Sequence, residues 1–309
     1  MKFFYDWNLR LNLEEKLVIA MMVLLNSLIL LFMQMKAAWD IFALNLIIIL
    51  FILIVSLAQT RRYQRYIPTF RDWYVLLFLV AIYLENRRLI PLVNPHDVDN
   101  IIIHIDRFLF LGTDPTILME TITFPMLSEV CQIVYASFYF LPLSLCLALY
   151  FVKRSHLDFH VCASTLMIGF FVSYLGYYLT PAIGPRFTLT HLQTVPLTGI
   201  LFFDLVRDLL ARGEGVMRDC CPSGHTLISL LTILLVRKYY RPLFPVTCVW
   251  GSVIIFSTVY LRYHYVTDLI IGTILGLVVY SCVPSLSRAL ILGNGKPKDS
   301  VLANPFREE

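Results

Sequence analysis

The sequence predicts an all-α fold, a polytopic transmembrane helical bundle of about eight spans, and three observations carry that prediction. Hydrophobic side chains make up 58% of the 309 residues and charged ones 15%, with a mean hydropathy of +0.73, too apolar for a soluble domain of this size. Apolar runs close to the roughly 20 residues that cross a bilayer recur along the chain, bounded by charges or helix breakers. Lysine and arginine are distributed unevenly between alternate loops.

The first two runs, 17–35 and 39–58, are joined by a very short turn and form a helical hairpin. A third, shorter run at 73–84 ends in Glu85-Asn86-Arg87-Arg88. Further runs follow at 130–151, at 161–179 and around 226–236, and the last two are 244–261 and 269–283. The N-terminus leads into an anchor and then another span, with no cleavable signal pattern. The chain thus divides into an N-terminal transmembrane hairpin (1–66), a catalytic membrane core (67–290) and a cytoplasmic tail (291–309).

Eight spans place both termini on one side. On that side fall Lys2, Arg10, Lys16, Arg61, Arg62, Arg65, Arg71, Lys153, Arg154, Arg237, Lys238 and Arg241, with Arg288, Lys296, Lys298 and Arg307 at the end. The balance is about 16 cations against 9, so the termini are expected in the cytoplasm and the long loops outside, in periplasm, lumen or extracellular space.

Composition also excludes. The net charge of +4 comes without a basic tail or interleaved basic and aromatic residues, so nucleic acid is not an expected partner. Seven cysteines is an odd number, and Cys146, Cys162, Cys248 and Cys282 lie inside apolar runs, where a free thiol behaves as a small hydrophobe. Cys220 and Cys221 are adjacent, a poor geometry for a mutual disulfide, and read as structural rather than as metal ligands.

Two long outer segments remain, 86–129 and 180–225, and segments of that length in a compact membrane protein usually have a function. The first contains Ile101-Ile102-Ile103-His104-Ile105-Asp106-Arg107-Phe108-Leu109-Phe110, the mixture of a helix lying in the interface. It reads either as a doorway for lipid or as a packing lid. His104 with Asp106, and His96 with Asp97, read as interfacial loop residues; His156 and His160 are cytoplasmic and lack a third ligand.

The second segment ends in Asp219-Cys220-Cys221-Pro222-Ser223-Gly224-His225-Thr226, and an apolar run begins at once. That is a helix N-terminus: Ser223 is a plausible cap, and Gly224 lets a ligand approach the backbone. Its free N–H groups and dipole suit phosphate oxygens, and His225 there can protonate a departing oxygen. Two spans later the chain returns to the same face at Arg262-Tyr263-His264-Tyr265-Val266-Thr267-Asp268. His264 and Asp268 are four apart, a spacing that on a helix lets a carboxylate orient an imidazole whose other nitrogen attacks phosphorus. Leu179-Thr180-Pro181-Ala182-Ile183-Gly184-Pro185-Arg186 opens the same loop system, and Arg186 can hold phosphate oxygens through two donors. Arg218 and Asp219 are near enough in sequence to contact a head group. Three separate stretches meeting on one face suit in-line phosphoryl transfer.

These residues resemble the type 2 phosphatidic acid phosphatase superfamily, with its basic first motif ending in Arg-Pro, its Pro-Ser-Gly-His, and its Ser-Arg, five residues, His, three residues, Asp. Pro222-Ser223-Gly224-His225 matches the second motif in full, and His264 with Asp268 matches the end of the third. The resemblance implies a six-helix core over about residues 70–285, a phosphohistidine on His264, support from Asp268 and general-acid catalysis by His225. The third motif's arginine is replaced by Thr258 while Ser257 is retained, Arg262 stands two before His264, and Gly184-Pro185-Arg186 has its arginine after proline. These departures, with Ile105-Asp106-Arg107-Phe108-Leu109-Phe110 and Asp114-Pro115, resemble the branch that includes inositol phosphorylceramide synthases.

The expectation is an integral-membrane lipid phosphatase or phosphotransferase without metal or cofactor. The catalytic residues are His264, His225 and Asp268, and Arg186, Ser223, Gly224, Arg262 and Arg218 bind the membrane lipid substrate. Water as acceptor makes it a phosphatase; a lipid hydroxyl makes it a head-group transferase. A lipid transporter or flippase, the alternative from another class, predicts charges at mid-span rather than at span ends on one face.

Overall fold

The computed structural model describes residues 11–32, 35–57, 67–213, 215 and 217–293, and all regular structure among them is helical. Lys2, Arg10, Arg61, Arg62, Arg65, Lys296, Lys298 and Arg307 lie outside the described residues, as do 294–309 of the expected tail.

The helices run in order as α1 (Leu13–Leu31), α2 (Met35–Leu57), α3 (Ile67–Val93), α4 (Asp99–Leu109), α5 (Pro115–Leu118), α6 (Pro125–Ala136) and α7 (Phe140–Leu147). After a π-helical turn at Ala148–Val152 come α8 (His156–Leu179), α9 (Pro185–Thr188), α10 (Phe203–Gly213), α11 (Gly224–Tyr239), α12 (Phe244–Tyr260) and α13 (Val266–Gly293). Each apolar run of the sequence therefore falls on a helix or, at 130–151, on a bent pair. Among the described residues, four helices are long and apolar enough to cross a membrane, at Lys36–Leu57, His156–Leu179, Arg241–Tyr260 and Val266–Gly293, and α6 with α7 makes a fifth if counted as one span. The others differ for local reasons: α1 opens with Glu14, Glu15 and Lys16, and α11 has only 16 residues, about 24 Å of helix.

The expected third span is longer than its apolar run. α3 continues through Glu85-Asn86-Arg87-Arg88 because neighbouring helices receive those polar groups. Asn45 donates to Glu85 at 3.2 Å, Tyr178 donates to Asn86 at 2.8 Å, and Arg88 pairs with Asp40. The run at 130–151 bends by 51° between α6 and α7. At the bend Ser137 Oγ donates to the Val134 carbonyl and accepts from Trp250 Nε1, and Pro142 cannot donate to the helix ladder.

α8 sits at the centre, 72% buried against 28–39% for the other three long spans, and packs on α1, α3, α11 and α13. The N-terminal hairpin joins the same core through Val18, Met22, Leu25 and Ile29 of α1. Buried polar pairs tie it in: Arg71 holds Glu15, and His160 lies 3.1 Å from Glu14 and 3.4 Å from Asp72. Asn45 also donates to Asn26, so α1, α2 and α3 share one network away from water.

At the other end of the bundle, where α3 and α8 finish and α11 and α13 begin, the long connections fold over the helix ends. α4, over the segment expected to lie in the interface, is an amphipathic helix with Ile101, Ile105 and Phe108 exposed. Its inner face carries Asp99 and Asp106, both buried; Asp106 is therefore a helix-capping residue rather than a loop residue. It accepts from Val266 N, Thr267 N and Thr267 Oγ1 at 2.6–2.9 Å, capping α13. Asp99 accepts from the amides of Ile183 and Gly184 and from the Tyr265 hydroxyl. One helix thus pins both the loop that carries Arg186 and the turn that carries His264.

Candidate active site

α11 starts as its sequence requires. Ser223 is the N-cap, its Oγ accepting from Thr226 N at 3.2 Å and Thr226 Oγ1 at 3.0 Å. Neighbouring helices reach this start only where glycine permits. A Cβ on Gly272 of α13 would lie 2.6 Å from the Ser223 carbonyl oxygen, and one on Gly176 of α8 would lie 2.4 Å from the Pro222 ring. A Cβ on Gly224 itself would meet the Tyr177 hydroxyl at 2.6 Å.

His264 does not share a helix with Asp268. It lies in the turn before α13, and Asp268, at the third position of that helix, accepts from Tyr265 N at 2.9 Å. His264 Nδ1 is 2.8 Å from the backbone carbonyl of Cys220, so Nδ1 carries the proton and donates it there. Nε2 is left with its lone pair, the form a nucleophile needs. Asp268 Oδ2 stands further off, 3.6 Å from Nδ1, and also accepts from the Cys220 thiol at 2.9 Å. The tautomer is therefore held by a main-chain carbonyl, with the carboxylate as a nearby counter-charge. Burial pushes the Cys220 thiol well above its ordinary range and keeps it a neutral donor to Asp268.

His225 faces His264 with ring centroids 5.7 Å apart. Its ring stacks on Tyr135 at 4.4 Å and touches Phe138 at 4.3 Å, and the Tyr135 hydroxyl is 3.5 Å from Nδ1. Tyr263 stacks on the other face of Tyr135 at 4.5 Å. The Arg186 guanidinium lies 5.5 Å from the Tyr263 ring centre, completing a stack from arginine to histidine. Gly184, at φ +100°, makes the turn that aims Arg186 there. Among the described residues Arg186 has no ion-pair partner, so its donors are available to an anion.

The structure thus brings together two imidazoles facing across a gap, a helix N-terminus and, among the described residues, a guanidinium without an ion-pair partner; the model for the PAP2 superfamily matches residues 100–282, the stretch that contains all of them. The chain belongs to the PAP2 superfamily. No curated protein and no solved structure matches it. PAP2 superfamily members are typically phosphatases or phosphotransferases, and with its apolar helices the chain is a membrane protein with an expected activity of that kind.

Two of the arginines expected at the phosphate of this PAP2 protein are engaged elsewhere. Arg262, at φ +66°, turns away from His264 and donates to Gln193 Oε1, Glu120 Oε1 and the Val195 carbonyl at 2.6–3.0 Å. Burial lowers the pKa of its guanidinium from the usual value, with Glu120 opposing the shift. Arg218 pairs with Asp97 through two bonds of 2.8 and 3.0 Å at the rim. Both act on loops in this conformation rather than on the site.

Cys220 Sγ, His264 Nδ1 and an Asp268 oxygen lie within 4.8 Å of one another and are the one group among the described residues that could hold a metal ion. A cation there would have to displace the thiol proton and the bond from Nδ1 to the Cys220 carbonyl. The sequence reads Cys220 only as structural and does not single out Tyr135 or Phe138. Cys220 acts partly through its main chain, which no residue code records, and the two aromatics lie in an apolar run where aromatic residues are ordinary.

Proposed function

We propose that this PAP2 protein is an integral-membrane lipid phosphatase or phosphotransferase working through a phosphohistidine on His264. The carrying observation is the pair of imidazoles 5.7 Å apart, one with Nδ1 bonded to the Cys220 carbonyl and Nε2 free. In the first step Nε2 attacks phosphorus, the bond to the leaving oxygen breaks, and His225 gives that oxygen its proton. In the second, water or an alcohol attacks the same phosphorus, His225 takes the proton and the P–N bond breaks. Arg186 and the amide of Gly224 hold the equatorial oxygens through both steps, while the Ser223 amide, expected there from the sequence, donates to the Asp268 carbonyl at 3.1 Å and ties the start of α11 to α13.

The proposed topology has about eight spans around a six-helix core, with cytoplasmic termini and the site on the periplasmic, lumenal or extracellular face. A single unpaired guanidinium at the site suits a phosphodiester, which carries less charge than a monoester, and so favours head-group transfer of the inositol phosphorylceramide synthase kind as the second reading.

The test is a detergent assay of the purified protein and its His264→Ala variant on phosphatidic acid, a polyprenyl pyrophosphate, and phosphatidylinositol with ceramide. Free phosphate that vanishes in the variant identifies a phosphatase, and new phospholipid without free phosphate a transferase. Equal turnover by the variant would refute the histidine mechanism.

A further inference from the structure

Between α3, α7 and α8 the bundle holds a cavity of about 460 Å³, lined from Phe70 to Tyr83 on α3, from Tyr139 to Cys146 on α7 and from Ala163 to Tyr174 on α8. No charged or amide side chain lines it. From Trp73 to Tyr83 the helix rises about 15 Å, the depth of one leaflet of a bilayer's hydrocarbon core.

The two ends of the cavity differ. Its outer end adjoins the candidate active site. There Tyr83 donates to Asp219 at 2.6 Å, and Asp219 precedes the cysteine whose carbonyl holds His264. Tyr139 packs on Phe138, the residue against the His225 ring. Toward the inner end stands an aromatic floor: Trp73 lies 5.5 Å from Tyr150, 5.8 Å from Phe151 and 5.1 Å from Phe159, ring centre to ring centre. Along one side, Leu77 and Val80 of α3 are 72% and 50% exposed, so the cavity opens toward the membrane rather than toward water.

We propose that this cavity receives the hydrocarbon tail of the lipid whose phosphate lies between His225 and His264, and that the floor at Trp73 sets the longest tail accepted. The inference rests on the lipid-phosphate reading of the site. An apolar slot whose one end reaches the candidate site through Tyr83 with Asp219 and Tyr139 with Phe138, and whose other end abuts Trp73, is a measuring device: each methylene that fits packs against its walls, and the first that does not must fold back or displace the floor. Its depth takes the full tail of an ordinary membrane lipid and stops a longer one. Lateral opening lets the tail enter from the bilayer while the head group stays at the interface.

Turnover of a series of single-tail lipid phosphates of increasing length, in mixed micelles of fixed composition, tests this with Trp73→Ala and Leu77→Trp. Leu77 already faces lipid, so its replacement leaves the core intact. For the wild type kcat/KM should change little while the tail fits and fall once it does not, because a tail already in a micelle gains little hydrophobic free energy on entering an apolar slot but an overlong one must fold back or displace the floor. Trp73→Ala should move the break to longer tails and Leu77→Trp to shorter ones. Superimposable profiles in three active proteins would overturn the ruler.

Photolysis of a lipid phosphate carrying a diazirine at the tail end separates the two levels of the inference, because labelling needs no turnover. Label on Trp73, Tyr150 or Phe159 without phosphate release would keep the tail site and refute the phosphoryl-transfer reading. Label confined to lipid-facing residues of α2, such as Leu46 and Ile47, would refute the tail site and leave the cavity to bulk lipid.

Discussion

Replacing Arg262 by alanine separates two roles for the arginine beside the nucleophile. Its side chain is 7% exposed and that of Glu120 8%, so the pair is screened little by solvent. The substitution removes hydrogen bonds to Glu120, Gln193 and the Val195 carbonyl, leaving Glu120 buried with only the Thr194 and Val195 amides and the Thr194 hydroxyl as donors. Breaking a buried pair from one side costs about 3–5 kcal/mol, and the donors that remain on Glu120 place this case toward the lower end. Glu120→Ala should cost a similar amount, and the double variant should lose well under the sum of the two, since both act through one contact. The cycle is read by thermal unfolding in detergent together with turnover of a lipid phosphate. If Arg262 only positions the 190–195 loop, the three variants fall together in stability and kcat, and KM for the phosphate barely moves. Wild-type turnover in Glu120→Ala alongside a large KM rise in Arg262→Ala would show that the guanidinium binds substrate, and would refute the positioning argument.

Gly272→Ala should lower stability by about 1–3 kcal/mol and turnover with it, because the new methyl meets the Ser223 carbonyl; Gly276→Ala, with its nearest atom at 3.3 Å, should do much less, and the two melting curves check this. Cys220→Ala removes one donor from Asp268 and should cost about tenfold in kcat, the worth of one hydrogen bond to a charged group, while Cys220→Ser recovers part of it. Because burial keeps that thiol neutral well above its ordinary range, N-ethylmaleimide at neutral pH should leave activity unchanged; rapid inactivation that Cys220→Ala abolishes would contradict it. EDTA should likewise leave turnover intact, and loss restored by zinc would make Cys220, His264 and Asp268 a metal site.

The site was legible where chemistry is written in contiguous residues. Ser223, Gly224 and His225 must occupy the first turn of one helix, and Asp268 must stand at the start of another, so their order survives in the sequence as a string. What orients His264 was not legible, because its partner is the carbonyl of Cys220 and any residue could supply one. Arg262 illustrates the converse: proximity in sequence suggested a phosphate ligand, but a positive φ turns the side chain away, toward a glutamate 142 positions earlier. Among the helices, the apolar runs fall on helical segments, four of them, or five with the bent pair, long and apolar enough to cross a membrane among the described residues, but hydropathy ended α3 too early because its Glu85 and Asn86 are buried against Asn45 and Tyr178. α10 went unread, being a short amphipathic helix anchored when Glu129 accepts from four consecutive amides at 200–203.

The central claim is that His264 Nε2 carries the phosphoryl group between donor and acceptor. Rapid mixing of the protein with a lipid phosphate, an alkaline quench that preserves phosphoramidates, and peptide mass spectrometry test it directly. Phosphorylation confined to His264, absent from His264→Ala and accumulating in His225→Ala only with a substrate whose leaving group needs no proton, is the predicted result. Steady turnover by a protein that never carries phosphate on His264 at any mixing time would contradict it.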